Sequence, residues 1–294
     1  MIAIDWGTSS LRAWRLDDAS GRILEQRRAP LGILACDGRF EAVLGEQVAG
    51  WPDRRVLLAG MIGSRQGWRE APYVACPATP ASLAARLLPL QVPSLGDHEV
   101  AIVPGLVTRD ADGVADVVRG EEVQVCGLLD ALDPGPHVLC LPGTHCKWVE
   151  VAHRRIDGFR TAMTGEFYHA LRAHTILGRL MPAMSDESAP FDPEAFLRGL
   201  ARARQPGGLL HHAFGVRTEG LTGALAAERL PDYLSGLLIG HELRDLAPTQ
   251  GVVHLVGQEA LTLRYAHALR ARGCEPVIHG EDLAARGLWR LAST

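Results

Sequence analysis

The chain has 294 residues, is 47% hydrophobic and 22% charged, and carries a formal net charge of −4. These values describe an ordinary globular chain of one large or two medium domains, and they exclude the basic footprint of a nucleic-acid-binding protein. Six dispersed cysteines without CxxC, and twelve histidines without HExxH, argue against zinc. No apolar run reaches the roughly 18–20 residues of a membrane span, and with a strand expected from Ile2 no secretory leader is expected. The expectation is a cytoplasmic α/β protein with reduced thiols, with neither nucleic acid nor membrane as a partner.

In chain order, "IAID" reads as a strand running into the loop "WGTSS", followed by the strand "LRAWRLD", the turn "DASG" and the strand "RILEQRRA". A helix is predicted over Phe40–Ala49, then the strand "RVLLAG". "SLAARLLPL" reads as helical, "VAIVPGLV" as extended and "GEEVQVCGLLDAL" as helical. "DPGP" breaks that helix and places a domain boundary between 1–135 and 136–294. Next come "HVLCL", the loop "PGTHC", "KWVEVA", the turn "RRIDG", "FRTAMT" and the helical "GEFYHALRAH". Helical segments follow in "PEAFLRGLARA", "GLLHHAF", "GALAAERL" and "PDYLSGLLIGHELRDL". A strand, a glycine and a long helix in "GVVHLVGQEALTLRYAHALRARG" precede the strand "EPVIH" and the helix "EDLAARGLWRL". That last helix is expected to pack back on the first lobe.

One pattern occurs twice. Gly7-Thr8 and Gly143-Thr144 lie 136 residues apart, and Gly21 and Gly158, read as turn glycines, lie 137 apart. Strand, Gly-Thr loop, strand, turn, strand and helix at nearly constant offset argue for two related lobes.

No Walker A loop, no GxGxxG after a strand and no GxSxG elbow are present. What remains is the pair of Gly-Thr loops. In such a loop glycine admits close backbone approach, and Thr8, Ser9, Ser10 and Thr144 offer hydroxyl donors to phosphate oxygens. Asp5, ending the first strand, suits Mg²⁺ held through water. Lys147, the sole lysine of the chain, stands four residues after Gly143, where it is either a second phosphate contact or a solvated surface charge.

These residues carry a resemblance. "IDWGTSSLR" and "LPGTHCKW" resemble the two phosphate motifs of the actin-like ATPase fold, and "VVHLVGQEAL" resembles its adenosine motif. "DWGTSSLRAWRL", "GMIGSRQGWREAPYVACPA", "DVVRGEE", "LPGTHCKWV", "TAMTGEFY", "HTIL" and "YLSGLLIGHEL" together resemble the 2-dehydro-3-deoxygalactonokinase family over nearly the whole chain. The resemblance implies a two-lobed α/β fold, each lobe a mixed sheet with helices, and ATP- and Mg²⁺-dependent phosphorylation of a sugar acid at its 6-hydroxyl. A kinase for a neighbouring sugar acid such as 2-keto-3-deoxygluconate shares that fold, and a non-kinase ATPase or sugar-binding regulator is the reading from another class. Oligomeric state stays open, a homodimer included.

The same resemblance distributes roles. The proton acceptor is a carboxylate at a helix start upstream of the second loop; Glu121, 22 residues before Gly143, matches, with Glu122 and Asp116 as alternatives. An anionic substrate calls for arginine: Arg65, flanked by Ser64 and Gln66, or else Arg119, with Trp68 as a wall of the sugar pocket. Gly7, Thr8, Ser9, Ser10 and Arg12 belong to one phosphate loop, and Gly143, Thr144, His145 and Lys147 to the other. Gly257 and Gln258 are assigned to the nucleoside, Glu259 more weakly.

Overall fold

A computed structural model describes residues 1–184, 190–246, 251–280 and 282–294. The chain forms two compact units. The first comprises Met1–His137, Val149–Phe159 and Gly280–Thr294; the second comprises Val138–Trp148 and Arg160–His279.

The first unit is built on strands β1 (Ile2–Trp6), β2 (Leu11–Leu16), β3 (Ile23–Ala29), β4 (Arg55–Ala59), β6 (Leu88–Leu90) and β7 (Glu99–Ile102), in the order β3-β2-β1-β4-β7-β6. β1 pairs antiparallel with β2, Trp6 opposite Leu11, and parallel with β4. Ile2, Ile4 and Trp6 are fully buried beside α1 (Phe40–Val48), which turns Phe40, Val43 and Leu44 inward. A three-stranded sheet joins β5 (Tyr73–Ala75), β8 (Gly105–Arg109) and β9 (Ala115–Val118). α3 (Glu121–Leu128) crosses α9 (Leu283–Ala292) at close range: a Cβ on Gly127 would meet Leu283 O at 2.1 Å, and one on Gly287 would meet Val123 O at 1.9 Å. Larger side chains at either glycine would force the helices apart.

A five-stranded sheet has the order β12-β11-β10-β13-β14: β10 (His137–Leu141), β11 (Cys146–Ala152), β12 (Arg155–Ala162), β13 (Gly251–Val256) and β14 (Cys274–His279), of which Val138–Trp148 and the residues from Arg160 onward lie in the second unit. The order repeats that of β3-β2-β1-β4, and β10 pairs parallel with β13 as β1 does with β4. α5 (Pro193–Ala203) and α7 (Leu230–Leu246) interlock through Gly199 and Gly236, whose added Cβ atoms would meet Tyr233 O at 2.0 Å and Phe196 O at 1.9 Å. α4 (Thr164–His174), α6 (Gly208–Leu221) and α8 (Glu259–Arg270) complete the unit.

Three sequence readings give way. Gly158 is not a turn glycine: it lies inside β12, and His153 and Arg154 make the turn with φ of 51° and 58°. Turn chemistry favours Gly or Asn there, so two bulkier residues concealed the turn. "SLAARLLPL" is not one helix: α2 (Pro80–Ala84) stops early and Leu88–Leu90 becomes β6, because Pro89 cannot continue a helix. "GALAAERL" is not an α-helix either; α6 runs on to Leu221, and Ala227–Arg229 form only a 3₁₀ turn. Among the described residues no helix is long and apolar enough to cross a membrane.

Candidate active-site elements

In the first unit, residues 7–10 form a tight reversal between β1 and β2, where the Gly7 N–H donates to Ser10 O at 2.9 Å. Ile33 N–H donates to Gly7 O at 3.0 Å from behind, and a Cβ on Gly32 would fall 2.0 Å from Thr8 O. The loop is therefore backed by chain, while Thr8, Ser9 and Ser10 are exposed. Asp5 is one residue inside the end of β1. Its Oδ2 accepts from Arg12 Nη2 at 2.6 Å, so Arg12 is committed to Asp5.

Two glycines bring the start of α3 to this corner. Gly60 has φ of 90°, and a Cβ on it would lie 2.8 Å from Trp6 O and 3.0 Å from Asp5 Oδ1. Gly120 has φ of 108°, and a Cβ on it would lie 3.2 Å from Gly60 Cα. Both positions need the left-handed backbone that glycine takes without strain. Glu121, the first residue of α3, is partly exposed, and its Oε2 accepts from Arg119 N–H at 3.1 Å. Glu122 is only 1% exposed, and its Oε2 accepts from Gly120 N–H at 2.6 Å. Burial, and next the charge of Glu121, push the Glu122 carboxyl up to about 8, so it is mostly protonated at pH 7. Asp116 sits on β9, paired with Thr108, and its Oδ1 accepts from Val117 N–H.

The segment after β4 is a folded loop. Ser64 Oγ donates to Met61 O at 2.7 Å, Trp68 N–H to Ile62 O at 2.9 Å and Ala71 N–H to Gly63 O at 2.9 Å. Arg65 projects with an 87% exposed side chain, and Gln66 beside it is also exposed. Trp68 is half-buried and stacks on Phe40 with ring centroids 6.1 Å apart, so it anchors the loop to the core. Arg119 lies behind the loop: it stacks on Tyr73 at 4.4 Å, donates to Ala71 O at 2.8 Å, and has Nε and Nη1 buried without hydrogen-bond partners.

In the second unit, the loop Pro142–His145 joins β10 to β11, and the first turn of α4 docks onto it. Glu166 N–H donates to Thr144 O at 2.9 Å, His145 Nε2 meets Glu166 Oε2 at 2.5 Å, and a Cβ on Gly165 would fall 2.4 Å from Gly143 O. Gly143 is different. A Cβ there would meet nothing nearer than His145 O at 3.9 Å, so one face of the loop is open. Gly257, ending β13, comes alongside: a Cβ on it would lie 3.3 Å from Pro142 O. Pro142, Gly143, Thr144, Thr164, Gln258 and Arg264 are among the residues bordering one pocket of about 580 Å³, a size typical of small-molecule sites. Lys147 is not a solvated surface charge; it lies within β11 and is only 5% exposed.

Sequence reasoning missed Asp232, Arg264 and Glu242. Asp232 accepts from Asp192 N–H at 2.8 Å and from Arg264, whose guanidinium also covers Phe191. Asp232 and Glu242 are each 7% exposed on α7. The readable signal was that Asp232 and Glu242 flank the largely apolar run Leu234–Gly240 of α7, since a buried polar residue informs more than a buried leucine.

The same fold occurs in the activator of the 2-hydroxyisocaproyl-CoA dehydratase from Clostridium difficile, solved with bound ADPNP. Its TM-score is 0.51 at 11% identity, over 100% of this chain and 94% of that one. The repeated sheets, each opening on a Gly-Thr hairpin, define an α/β protein of the actin-like fold. The family described as 2-keto-3-deoxy-galactonokinase matches residues 5–291. The 2-dehydro-3-deoxygalactonokinase of Escherichia coli (strain K12) is 38% identical over 289 residues, 96% of this chain and 94% of that relative. The crystal structure of a Sinorhizobium meliloti protein of that family superposes with a TM-score of 0.87 at 35% identity, covering 99% of this chain and 97% of that one. This chain belongs to the 2-keto-3-deoxy-galactonokinase family.

Proposed function

We propose that the chain transfers the γ-phosphoryl group of ATP to O6 of 2-dehydro-3-deoxygalactonate. The observation that carries the reading is the pocket of about 580 Å³ where the second Gly-Thr loop, with Gly143 open on one face, meets Gln258 of the adenosine-like motif. Loop amides and the Thr144 hydroxyl receive the phosphates there, and the rest of the pocket takes the nucleoside. The Gly7–Ser10 loop, with its exposed hydroxyls, is likewise assigned to phosphate.

Asp5 fits a Mg²⁺ ion held through water: one carboxylate oxygen is committed to Arg12, and the other faces the Gly60 backbone. When bound, the ion would neutralise charge on the phosphoryl oxygens. Glu121 is assigned as the base. It is a partly exposed carboxylate at a helix start, whereas Glu122 is sealed and protonated and Asp116 sits on β9. Glu121 takes the proton from the 6-hydroxyl as O6 bonds to the γ-phosphorus and the bond from phosphorus to the ADP oxygen breaks. Arg65, long and exposed, is assigned to the substrate carboxylate, with Ser64 and Gln66 beside it. Arg119 supports that loop from behind, and Trp68 fixes its base.

The direct test is phosphorus and proton NMR of the products formed from ATP and 2-dehydro-3-deoxygalactonate. ADP with a phosphomonoester coupled to the C6 protons is expected. Free phosphate alone, or an ester at another carbon, contradicts the proposal.

A further inference from the structure

α7 buries a carboxylate that the roles above leave unused. Glu242 gathers three donors from three elements. Trp148 Nε1 on β11 donates to Oε1 at 2.7 Å, the Tyr265 hydroxyl on α8 donates to Oε2 at 2.7 Å, and the Thr164 hydroxyl, opening α4, donates to Oε2. An indole N–H only donates, and both carboxylate oxygens of Glu242 accept here, so the three donors are each satisfied. Hydrogen bonds made in such a buried setting are electrostatically stronger than in water and costly to leave unmade. The thiols of Cys140 and Cys146, which flank the Pro142–His145 loop, lie within 4.8 Å of the same carboxylate.

What Glu242 holds is the frame of that loop. Trp148 is two residues beyond Cys146, where β11 begins, and Thr164 is one residue before Gly165, which packs against Gly143 O. Two residues past Thr164, Glu166 ties its N–H to Thr144 O and its carboxylate to His145. A displacement of the first turn of α4 therefore moves three contacts on the loop together. Thr164 and Tyr265 also border the pocket, so their orientation shapes the wall facing a nucleotide.

We propose that Glu242 is a positioning residue for nucleotide binding: through Thr164 and Trp148 it fixes the start of α4 and the Gly143–Thr144 loop in the arrangement that receives phosphate. The proposal rests on the reading that this loop holds the polyphosphate. Glu242 touches no reacting atom; its effect falls on nucleotide affinity and leaves the sugar-acid site unchanged.

The test is a double-mutant cycle with MgADP as the calorimetric probe, alongside KM for ATP and for the sugar acid. Thr164→Val removes the hydroxyl at nearly constant volume, and Glu242→Gln turns one acceptor oxygen into a donor. Each is expected to weaken MgADP at least fivefold and raise KM for ATP in parallel, with KM for the sugar acid within twofold of wild type. The double variant should be no weaker than the worse single one, because both substitutions break the same tether. Thr164→Ser, which keeps the hydroxyl, should restore affinity to within twofold. Additive losses would mean that Thr164 binds the nucleotide independently of Glu242, and would overturn the proposal. So would wild-type affinity in both single variants, or equal losses for both substrates. Gly143→Ala separates the two levels. If it loses MgADP while Thr164→Val and Glu242→Gln do not, the positioning role alone fails. If Gly143→Ala binds MgADP normally, the loop reading fails and takes the positioning role with it.

Discussion

Gly143→Ala is the sharpest perturbation of the proposed site because structure and function make opposite demands on it. A methyl group at Gly143 meets no protein atom nearer than 3.9 Å, and the residue is not among the glycines with positive φ. Folding should therefore tolerate it: substitutions of this kind change stability by about 0.5 kcal/mol or less. For a chain of this size that is a Tm shift of about 1–2 °C. The methyl would occupy the open face against which a phosphate oxygen is proposed to sit. Displacing a reacting group by about 1 Å costs on the order of 100-fold in rate. A coupled ADP-release assay should thus show kcat/KM for ATP falling about 100-fold, in a protein that melts like wild type. Gly7→Ala, whose methyl would meet only Ser10 O at 3.6 Å, should behave alike. Gly165→Ala is the contrast. Its methyl would fall 2.4 Å from Gly143 O, so activity and stability should drop together, the latter by about 1–3 kcal/mol. Wild-type turnover by Gly143→Ala would refute the placement of phosphate on this loop.

Glu121→Gln should lower kcat by about 10²–10⁴-fold and Asp5→Ala by orders of magnitude, both measured by ADP release on folded protein; near-wild-type turnover in both would dismiss these roles. Arg65→Ala should raise KM for the sugar acid about tenfold or more, the worth of a charge-assisted bond, with KM for ATP unchanged in the same assay. Glu122 carries a pH signature: its folded pKa of about 8 exceeds the ordinary 4.5, so its contribution to stability is complete below about 4.5 and is lost as pH rises through about 8. Glu122→Gln removes that loss, so thermal melts at pH 9 should find the variant more stable than wild type. His241 works in the opposite sense. Burial, then Arg244 and His212, hold its pKa below 6.5, and its Nε2 lies 3.0 Å from Nδ1 of the buried His212. Its contribution is present above 6.5 and lost as pH falls through the lowered value, so His241→Gln should flatten the fall in Tm between about pH 7 and pH 5.

Local patterns carried the fold a long way. The hairpin around Gly7 was legible because two short, largely apolar segments flank a small-residue loop, and its echo at Gly143 pointed to the repeated strand order that the two sheets share. The turn before β12 was hidden because His153 and Arg154 adopt a conformation for which sequence expects glycine or asparagine. The proposed site residues divide along the same line. Gly143 and Thr144 announce themselves within one loop, as do Arg65 and its neighbours. The Glu242 cluster draws on four separate elements, β11, α4, α7 and α8, so no spacing along the chain reveals it. Glu121 and Glu122 are adjacent and chemically alike in sequence; only burial, 1% exposure for Glu122 against partial exposure for Glu121, separates them.

Substrate dependence of turnover separates a sugar-acid kinase from an ATPase or a kinase for neutral sugars. ADP release should be measured on the purified protein with ATP and Mg²⁺, without acceptor and with 2-dehydro-3-deoxygalactonate, 2-dehydro-3-deoxygluconate and simple aldoses in turn. Release should require an acceptor and be fastest, by kcat/KM, with 2-dehydro-3-deoxygalactonate. Release that proceeds equally well without any sugar acid, or that prefers an uncharged aldose, would contradict the proposed function.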